Sequence, residues 1–597
     1  MLNARLYRAA LAPFLLALAI AAFSLQGRPS ALKPTLTPEA FQGGQAFAEM
    51  QGLARRFAHR RAGSVGDGAL AQRIAATIKG LGSTAGGGFA VRTEHFEGQT
   101  IDGARTLATV IAQRPGSTDA TPIVILAHRD AAAAGSEAEM SGTAVLLELA
   151  RVFSEQETKR TIILVSTSGG SGGAAGAREL AEELPGPADA AIVIGDVAAA
   201  HERRPQVIPF SDGFGSGSLV LQTTLAQSIA SETGAGAGSP SALGQLAHLA
   251  IPLATGEQGA LNAAGIPAVL VQSSGERGPS PGERVSAEHL EAMGRAVLSA
   301  VYALDGAPDI SQAMATGVAL QRKILPEWAV SLLVLTALLG PLLVVIDGLA
   351  RARRRRLAVG RSTLWALSCA LPFLCCALLA YLLGVLGILP DTPALPVPGS
   401  AVGFGASRAA VVLAVVLTFL LSWMLWMMLL HRLGWESRPD GDIAGLAVLL
   451  LLIPVALIVW VADPYTALLL VPAAHLWLLL ASPELRPRRA GAIALVAAAL
   501  VPLALVVGFY AHQFGLGLGS AAWTAVLLPA SGHVGPAGAL LWSICLGCAA
   551  AAALIALGAG YDYSGPAGTG ALDVSTRGPL SYAGPGSLGG TESALRR

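Results

Sequence analysis

Residues 122–153 read PIVILAHRDAAAAGSEAEMSGTAVLLELARVF and carry the clearest indication of the fold. The segment opens with a continuous apolar run and closes with apolar residues at helical spacing. A loop with His128 and Asp130 lies between them. Short apolar strands that alternate with helices are typical of a mainly parallel sheet with helices on both faces. The segment therefore predicts an α/β domain.

The same alternation extends on both sides of this segment. The predicted strands are TLATVIAQ (106–113), PIVILAH (122–128), TIILVST (161–167), AAIVIGDV (190–197) and AVLVQ (268–272). The predicted helices are GDGALAQRIAATIKGLG (66–82), SGTAVLLELARVF (141–153), GARELAEEL (176–184) and SAEHLEAMGRAVLSAVYAL (286–304). Function in such a sheet gathers at the carboxyl ends of the strands. Those ends carry His128, the glycine-rich residues 168–173 and Asp196.

The composition indicates a membrane protein. The chain has 597 residues, 53% of them hydrophobic and 13% charged, with a net charge of +1. This is too apolar for an ordinary soluble protein, and the charge gives no indication of a nucleic-acid partner. Membrane lipids are the expected surroundings. The thiols indicate apolar packing rather than disulfides or metal binding, because long apolar runs contain all the cysteines: Cys369, Cys375, Cys376, Cys545 and Cys548.

Long apolar runs define the predicted domains. Residues 1–26 contain an N-terminal run that is either an uncleaved anchor or a signal peptide. Residues 27–325 contain no run of the roughly 18 to 20 residues needed to cross a bilayer, and form the predicted α/β domain. Residues 326–560 form an all-α transmembrane domain of about seven spans, at 328–349, 364–389, 409–430, 444–462, 465–482, 490–510 and 536–560.

Arginine clusters predict the topology. RARRRR (351–356), HR (431–432) and RPRR (486–489) follow alternate spans, and the loops on the other side contain no Lys or Arg. Lys and Arg accumulate on the cytoplasmic side, so both termini are predicted inside and the α/β domain outside the cytoplasm. The excess of Arg over Lys is typical of a GC-rich bacterial genome, and in a bacterium the membrane would be the plasma membrane. Residues 561–597, rich in Gly, Ser and Pro, are predicted to be a disordered cytoplasmic tail, and residues 521–532 a re-entrant or interfacial piece.

The order of the α/β pieces resembles a known family. RRAGS (60–64), IVILAHRD, SGTAVLLELAR, the glycine loop, IVIGDV and GEQGALNAAGIPAVLV are similar in sequence and spacing to the zinc exopeptidases, the peptidase M28-like family of aminopeptidase Y, glutaminyl cyclase and the transferrin receptor ectodomain. The resemblance implies two zinc ions around a shared carboxylate. It also implies a glutamate base that activates the bridging water.

Three residues match the family's site. His128 and Asp130 correspond to its H-x-D, a metal-binding histidine and the carboxylate that orients the site. Asp196 corresponds to a further metal-binding aspartate. The bridging aspartate is replaced by Ala138, which is flanked by two glutamates, Glu137 and Glu139. Neighbouring side chains of an extended segment point to opposite sides, so neither glutamate is an automatic substitute.

Other positions of the family's site lack the side chains that the resemblance predicts. Gly170 and Ser171 stand where the family has its paired glutamates, the general base and a zinc ligand. GEQ (256–258) replaces the family's S-D-H, and Pro279 replaces a late histidine ligand. The glycine loop thus resembles a catalytic loop without its carboxylates. If the pocket is otherwise intact, restoring the two glutamates together with Asp at position 138 should restore metal binding.

Alternatives remain for several residues. GSGGAA (170–175) also fits a dinucleotide-binding G-x-G-x-x-A, a weak match in a chain with 70 glycines. His128 is either a hydrogen-bonded polar residue or, with Glu139 and Asp196, a three-ligand metal site. His475 lies inside a predicted span, where it is either a functional candidate or the partner of a carbonyl freed by Pro472. The remaining motif-free histidines are expected to be surface or structural: His201, His248 and His289.

The domain order also resembles the Gaa subunit of the GPI transamidase. The sequence therefore predicts an integral membrane protein whose extracytoplasmic peptidase-like domain is a pseudoenzyme that needs no cofactor and binds or scaffolds peptides, lipid-linked molecules or proteins. The alternative is an active membrane-bound zinc aminopeptidase with a divergent site. A transport role comes third.

Overall fold

The computed structural model describes residues 4–81, 88–184, 188–200, 204–238, 240–308, 310, 314–389, 397–399, 401, 403–433, 441–480 and 487–558. The predicted disordered tail (561–597) and His201 lie outside these residues. Within them, two sets of buried apolar side chains define an α/β domain, residues 38–306, and a helical domain, residues 327–558.

Ten strands form two sheets in the described part of the chain. Their bounds are β1 Gln26–Gly27, β2 Ala90–Thr100, β3 Gly103–Arg114, β4 Ile123–His128, β5 Ile162–Thr167, β6 Ala190–Ile194, β7 Gln206–Ile208, β8 Ala268–Gln272, β9 Val318–Ala319 and β10 Lys323–Leu325. The large sheet has the order β2-β3-β5-β4-β6-β8-β7, and the small one the order β1-β10-β9.

The large sheet is mixed. Its central strands β5, β4, β6 and β8 are parallel, whereas β2, β3 and β7 run antiparallel to their neighbours. Alternate residues of β4 enter different cores: Ile123 and Ile125 face one side of the sheet, Val124 and Leu126 the other. This period of two explains why β4 is apolar throughout. The predicted fold class, an α/β sheet with helices on both faces, is confirmed, and the sequence pattern missed β2 and β7.

Ten α-helices of the described residues precede the helical domain. Their bounds are α1 Ala4–Ala9, α2 Leu11–Phe23, α3 Gly43–Arg56, α4 Val65–Gly80, α5 Ser141–Glu155, α6 Ala175–Glu183, α7 Leu219–Thr233, α8 Ala242–Ala250, α9 Glu257–Ala263 and α10 Ala287–Gly306. The side chains of Ser64, Ser241 and Ser286 accept hydrogen bonds from backbone amides in the first turns of α4, α8 and α10. Such N-caps fix where these helices begin.

The helical domain continues with α11 Glu327–Arg354, α12 Val359–Ser368, α13 Leu371–Val385, α14 Ala406–Arg432, α15 Gly441–Ala462, α16 Pro464–Leu480, α17 Arg489–Gln513, α18 Leu518–Ala530 and α19 Pro536–Gly558. Seven helical segments of the described chain are long and apolar enough to cross a membrane. They are Arg5–Phe23, Glu327–Arg354, Val359–Val385, Ala406–Arg432, Ile443–Ala462, Arg489–Gln513 and Pro536–Gly558. These helices support the prediction of a membrane protein.

Two apolar helices are shorter. α16, at the position of a predicted span, has 17 described residues, or about 26 Å of helix against a hydrocarbon core of about 30 Å. α18 has 13 residues, in agreement with the prediction that this part is too short to span. In α16, Nδ1 of His475 lies 2.8 Å from the hydroxyl of Tyr7 in α1. A hydrogen bond between helices thus accounts for the polar side chain inside a predicted span.

The α/β domain is fastened to the helical domain by several polar contacts. The Tyr510 hydroxyl of α17 donates to the carbonyl of Ile251, at 2.5 Å. The Tyr465 hydroxyl of α16 donates to the carbonyl of Thr316, at 2.6 Å. These bonds connect Ile251 and Thr316, which lie outside the helical domain, to α17 and α16.

Candidate functional site

The site begins at the paired ends of β4 and β5. The parallel register sets His128 opposite Thr167, so the loops after both strands meet. Asp130, which follows β4, is fully buried. Its carboxylate accepts hydrogen bonds from the backbone amides of Gly170 and Ser171, each at 3.1 Å, and from the Ser171 hydroxyl. The predicted pair His128 and Asp130 therefore lies directly beside the glycine loop.

His128, which is 17% exposed, lies against the fully buried carboxylate of Asp130. Nδ1 of His128 lies 3.0 Å from the Asp130 carbonyl oxygen and 3.6 Å from its carboxylate. Burial lowers the pKa of His128, but the negative charges of Asp130, Glu257 and Glu139 outweigh burial and raise this pKa to about 9. Burial raises the pKa of Asp130, yet its bonds to His128 and Ser171 bring it down to about 2. The neighbouring carboxyl groups thus favour the protonated form of His128 over the neutral form.

A buried pair, Arg129 and Asp67, lies next to the glycine loop. Nε of Arg129 lies 2.8 Å from the carboxylate of Asp67, with both side chains at most 2% exposed. Arg129 also donates to the backbone carbonyls of Ser166 and Ala108, and Ser168 donates to Asp67 at 2.6 Å. The charged residue inside the AHRD motif is therefore structural: it joins the central strands to helix α4.

The glycine loop leaves no room for a side chain at position 170. A Cβ atom there would lie 2.3 Å from Cβ of His128 and 3.0 Å from Cδ of Glu257. Contacts below 3.0 Å require neighbouring atoms to move. The expectation that restored glutamates would rebuild a metal site therefore meets a steric obstacle. The backbone on both sides of this position adopts conformations that favour glycine, with φ of +86° at Gly169 and +92° at Gly173.

Glu257 is a site residue that the sequence comparison missed. It begins α9 within the GEQ segment, is 1% exposed, and accepts a hydrogen bond from the Thr167 hydroxyl. Burial raises the pKa of its carboxyl to about 7, although the charge of His128 opposes this. Its carboxylate fills part of the space beside Gly170. The sequence does show an acidic residue at this altered family motif. It does not show where α9 begins, and this start is what places the Glu257 side chain in the cleft.

Glu139 lies in a turn and lines the cleft. This corrects the expectation that the residues around Ala138 form an extended segment. Residues Ala138–Met140 form a 3₁₀ helix rather than an extended segment, so the rule of opposite sides does not apply. Ala138 is buried at 1% exposure. Glu139 lines the same cleft as His128, whereas Glu137 is the residue before the turn. Burial raises the pKa of Glu139, with the charges of His128 and Arg60 opposing it.

Asp196 closes the far side of the cleft. The Ser274 hydroxyl donates to its Oδ1 at 2.8 Å. Burial raises the pKa of Asp196 to about 7, although hydrogen bonds from Ser274 oppose this. The structure thus brings the predicted residues together: the cleft is lined by His128, Glu139, Gly170, Ser171, Asp196, Glu257, Glu276 and Pro279.

The donor set of this cleft does not fit zinc. Within the described ranges, no group of three or more His, Cys, Asp and Glu side chains could hold a metal ion. Nδ1 of His128 lies 3.0 Å from the Asp130 carbonyl oxygen, so one ring nitrogen already has a partner. Oδ1 of Asp196 accepts a hydrogen bond from the Ser274 hydroxyl. The three-ligand arrangement of His128, Glu139 and Asp196 is therefore not formed.

Two of the motif-free histidines, His248 and His289, contact residues of the fold. His248 lies buried between Phe210, whose ring stacks on it at 3.5 Å, and the carboxylate of Glu276 at 3.1 Å. Nδ1 of His289 lies 2.7 Å from the carbonyl oxygen of Ala199.

Comparisons with known proteins give one family match and several similar solved structures. Residues 109–235 match the model described as peptidase family M28. Among solved structures, the zinc aminopeptidase BSAP from Bacillus subtilis is similar at 12% identity, covering 46% of this chain and 98% of that one with a TM-score of 0.35. An aminopeptidase from Aneurinibacillus sp. strain AM-1 is similar at 14% identity, covering 46% and 97% with a TM-score of 0.36.

A glutaminyl cyclase is among the similar structures too. The enzyme from Porphyromonas gingivalis has 18% identity, with 44% of this chain and 98% of that chain covered and a TM-score of 0.32. No curated protein matches the sequence. The matched family model spans β4, β5, the glycine loop and β6. The chain therefore carries a peptidase family M28-like domain, joined to a set of helices long and apolar enough to form a membrane domain.

Proposed function

We propose that the α/β domain binds a partner in its cleft and does not hydrolyse it. The observation that carries this proposal is the packing of Gly170 against His128. The resemblance places the family's general base at this position, and here a side chain has no space. Hydrolysis needs a base in reach of the attacking water, and the metal that would lower the pKa of that water lacks a fitting donor set.

The chemistry of the cleft indicates the kind of partner. Glu139 Oε2, Asp196 Oδ2 and Glu257 Oε2 are buried oxygens without a hydrogen-bond partner. Leaving such atoms unpaired costs about 1 to 3 kcal/mol each. A ligand that brings N–H donors, such as the amine and amide groups of a peptide, a lipid-linked molecule or a protein segment, would satisfy them. The cleft thus favours amine-bearing partners over anionic ones.

The location belongs to the same proposal. The helices long enough to span a membrane support an integral membrane protein. The alternating arginine clusters support a domain outside the cytoplasm, on a plasma membrane if the source is bacterial. A partner would then meet the cleft on the extracytoplasmic face.

One observation favours a second candidate, an active metallopeptidase. His128, Glu139 and Asp196 line one cleft, so modest side-chain movements would bring three donors together. This candidate requires chelator-sensitive release of N-terminal residues from peptides, and loss of that release in His128→Ala.

Peptide hydrolysis by the purified full chain separates the two. The protein would be loaded with zinc and assayed against a mixed set of free-amine peptides, with and without a chelator. We expect no chelator-sensitive release, and the same background in His128→Ala and in the exposed control His95→Ala. Release that disappears in His128→Ala and persists in His95→Ala would overturn the proposal.

A further inference from the structure

The wall of the cleft on one side comes from the helical domain. Pro398 and Ala401, in the segment between α13 and α14, line the cleft together with His128 and Asp196. Val397 lies against the glycine loop, since a Cβ atom at Gly172 would be 3.2 Å from its Cγ1. The described residues of this segment, 397–399 and 401, therefore form a wall that the α/β domain does not supply.

This wall contacts the C-terminal end of α17. The amide of Gly399 donates to the carbonyl of Phe514, the residue that ends α17, at 2.8 Å. A Cβ atom at Gly399 would lie 2.6 Å from the carbonyl oxygen of Gly515. The backbone of the segment thus packs directly on the backbone that follows α17, with no side chain between them.

The opposite wall is attached to the same helix end. Glu276 lines the cleft, and its carboxylate lies 3.1 Å from Nε2 of His248. On the other edge of that ring, Nδ1 lies 3.2 Å from the Tyr510 hydroxyl of α17. Next to Glu276, the guanidinium of Arg277 donates to the carbonyl of His512 at 2.9 Å. Glu276 and Arg277 are therefore both linked to the end of α17 by polar contacts, the first through the ring of His248.

We infer that the cleft is a composite site, walled in part by residues 397–399 and 401 of the helical domain, and that the C-terminal end of α17 couples its occupancy to the membrane helices. Both walls contact residues 510–515, at and just after the end of α17, so a ligand that pushes either wall outward would disturb the hydrogen bonds made there. The inference does not depend on whether the cleft hydrolyses its ligand.

Thiol accessibility in the full chain tests the wall. A reporter cysteine is introduced by Pro279→Cys, which lines the cleft, and its labelling by a membrane-impermeant charged maleimide is timed against a chain without the reporter. Adding Gly399→Ala should push the segment off α17 and raise the labelling rate about fivefold, the change expected from loss of one hydrogen bond. Gly403→Ala is the matched control, because a Cβ atom there meets nothing within 4 Å.

Hydrogen exchange tests the coupling in the Pro279→Cys protein that keeps Gly399. Attaching the bulky maleimide to the cysteine at position 279 should increase exchange of the amides at 510–516 and leave residues 489–500 of α17 unchanged. Equal labelling rates in the Gly399→Ala and Gly403→Ala proteins would overturn the shared wall. Unchanged exchange at 510–516 on labelling would overturn the coupling, even if Gly399→Ala failed to fold.

Discussion

Gly170 lies so close to His128 that a methyl group at position 170 would sit 2.3 Å from Cβ of the histidine. At the same time the amide of Gly170 donates to Asp130, the partner of that histidine. The resemblance in sequence predicts a catalytic carboxylate at this position, and the structure has a glycine there that packs against the polar pair. The absence of a side chain at position 170 and the arrangement of His128 therefore depend on each other.

This packing predicts that Gly170→Ala destabilises the protein. The added Cβ forces His128 or Glu257 to move, and overpacking of this kind costs about 1 to 3 kcal/mol. Thermal or denaturant unfolding of the purified chain measures it. Gly68→Ala in α4 is the control, because its Cβ meets nothing within 4 Å and alanine favours a helix interior by about 0.5 to 1 kcal/mol. Equal stabilities would show that the loop has space at position 170.

The buried pair of Arg129 and Asp67 should be essential for folding. Asp67→Asn leaves an unpaired charge at a side chain that is 0% exposed, and breaking a buried pair costs about 3 to 5 kcal/mol. Asp102→Asn is the control. It removes the partner of Arg61 in a pair that is 47% and 29% exposed, which should cost at most about 1 kcal/mol. Similar losses of unfolding free energy in both variants would argue against a special role for the AHRD arginine.

Stability should fall as the pH rises because of Asp212. Burial raises its pKa from 3.8 to about 7, with Arg178 opposing. Between those values the folded state binds more protons than the unfolded state, so the free energy of unfolding decreases with pH. Asp212→Asn keeps an acceptor for the Ala254 amide, which lies 3.0 Å away. The loss of stability between pH 5 and 8 should shrink by about 3 kcal/mol, two pH units at about 1.4 kcal/mol each.

The comparison is made by denaturant unfolding at both pH values. Asp196 and Glu257, whose pKa values are also raised to about 7 by burial, leave a residual slope in the variant. An undiminished slope in Asp212→Asn would contradict the assignment.

The contact between Tyr7 and His475 predicts a coupled pair of mutations, one in the N-terminal helix α1 and one in α16. Tyr7→Phe and His475→Ala each remove the same 2.8 Å hydrogen bond, worth about 0.6 kcal/mol between membrane helices. The double variant should therefore lose about 0.6 kcal/mol less than the sum of the two single variants in a double-mutant cycle. Strict additivity would show that the two side chains do not interact, and would return His475 to the list of functional candidates.

The sequence predicted the parts of the molecule that depend on local pattern. Continuous apolar runs located β4, β5 and β6, because strands buried on both faces leave few polar positions. The pattern missed β2, whose residues are largely exposed and mostly polar, and it treated Glu139 as part of an extended segment. Neither feature has a local signature as strong as a buried strand.

The candidate site was predictable only where family motifs persist. His128, Asp130 and Asp196 follow strands and could be placed by spacing. Glu257 could not, because its approach to His128 depends on where α9 begins. Pro398 comes from a different domain, and no pattern within one segment reports a contact between residues far apart in the chain.

The most direct test of the central claim is the zinc content of the purified full chain, by mass spectrometry after zinc loading and desalting. The account predicts a content far below one ion per folded chain, since no group of three or more His, Cys, Asp and Glu side chains among the described residues could hold a metal ion. One or two zinc ions retained per chain, and lost in His128→Ala but not in His95→Ala, would contradict it and identify a metalloenzyme.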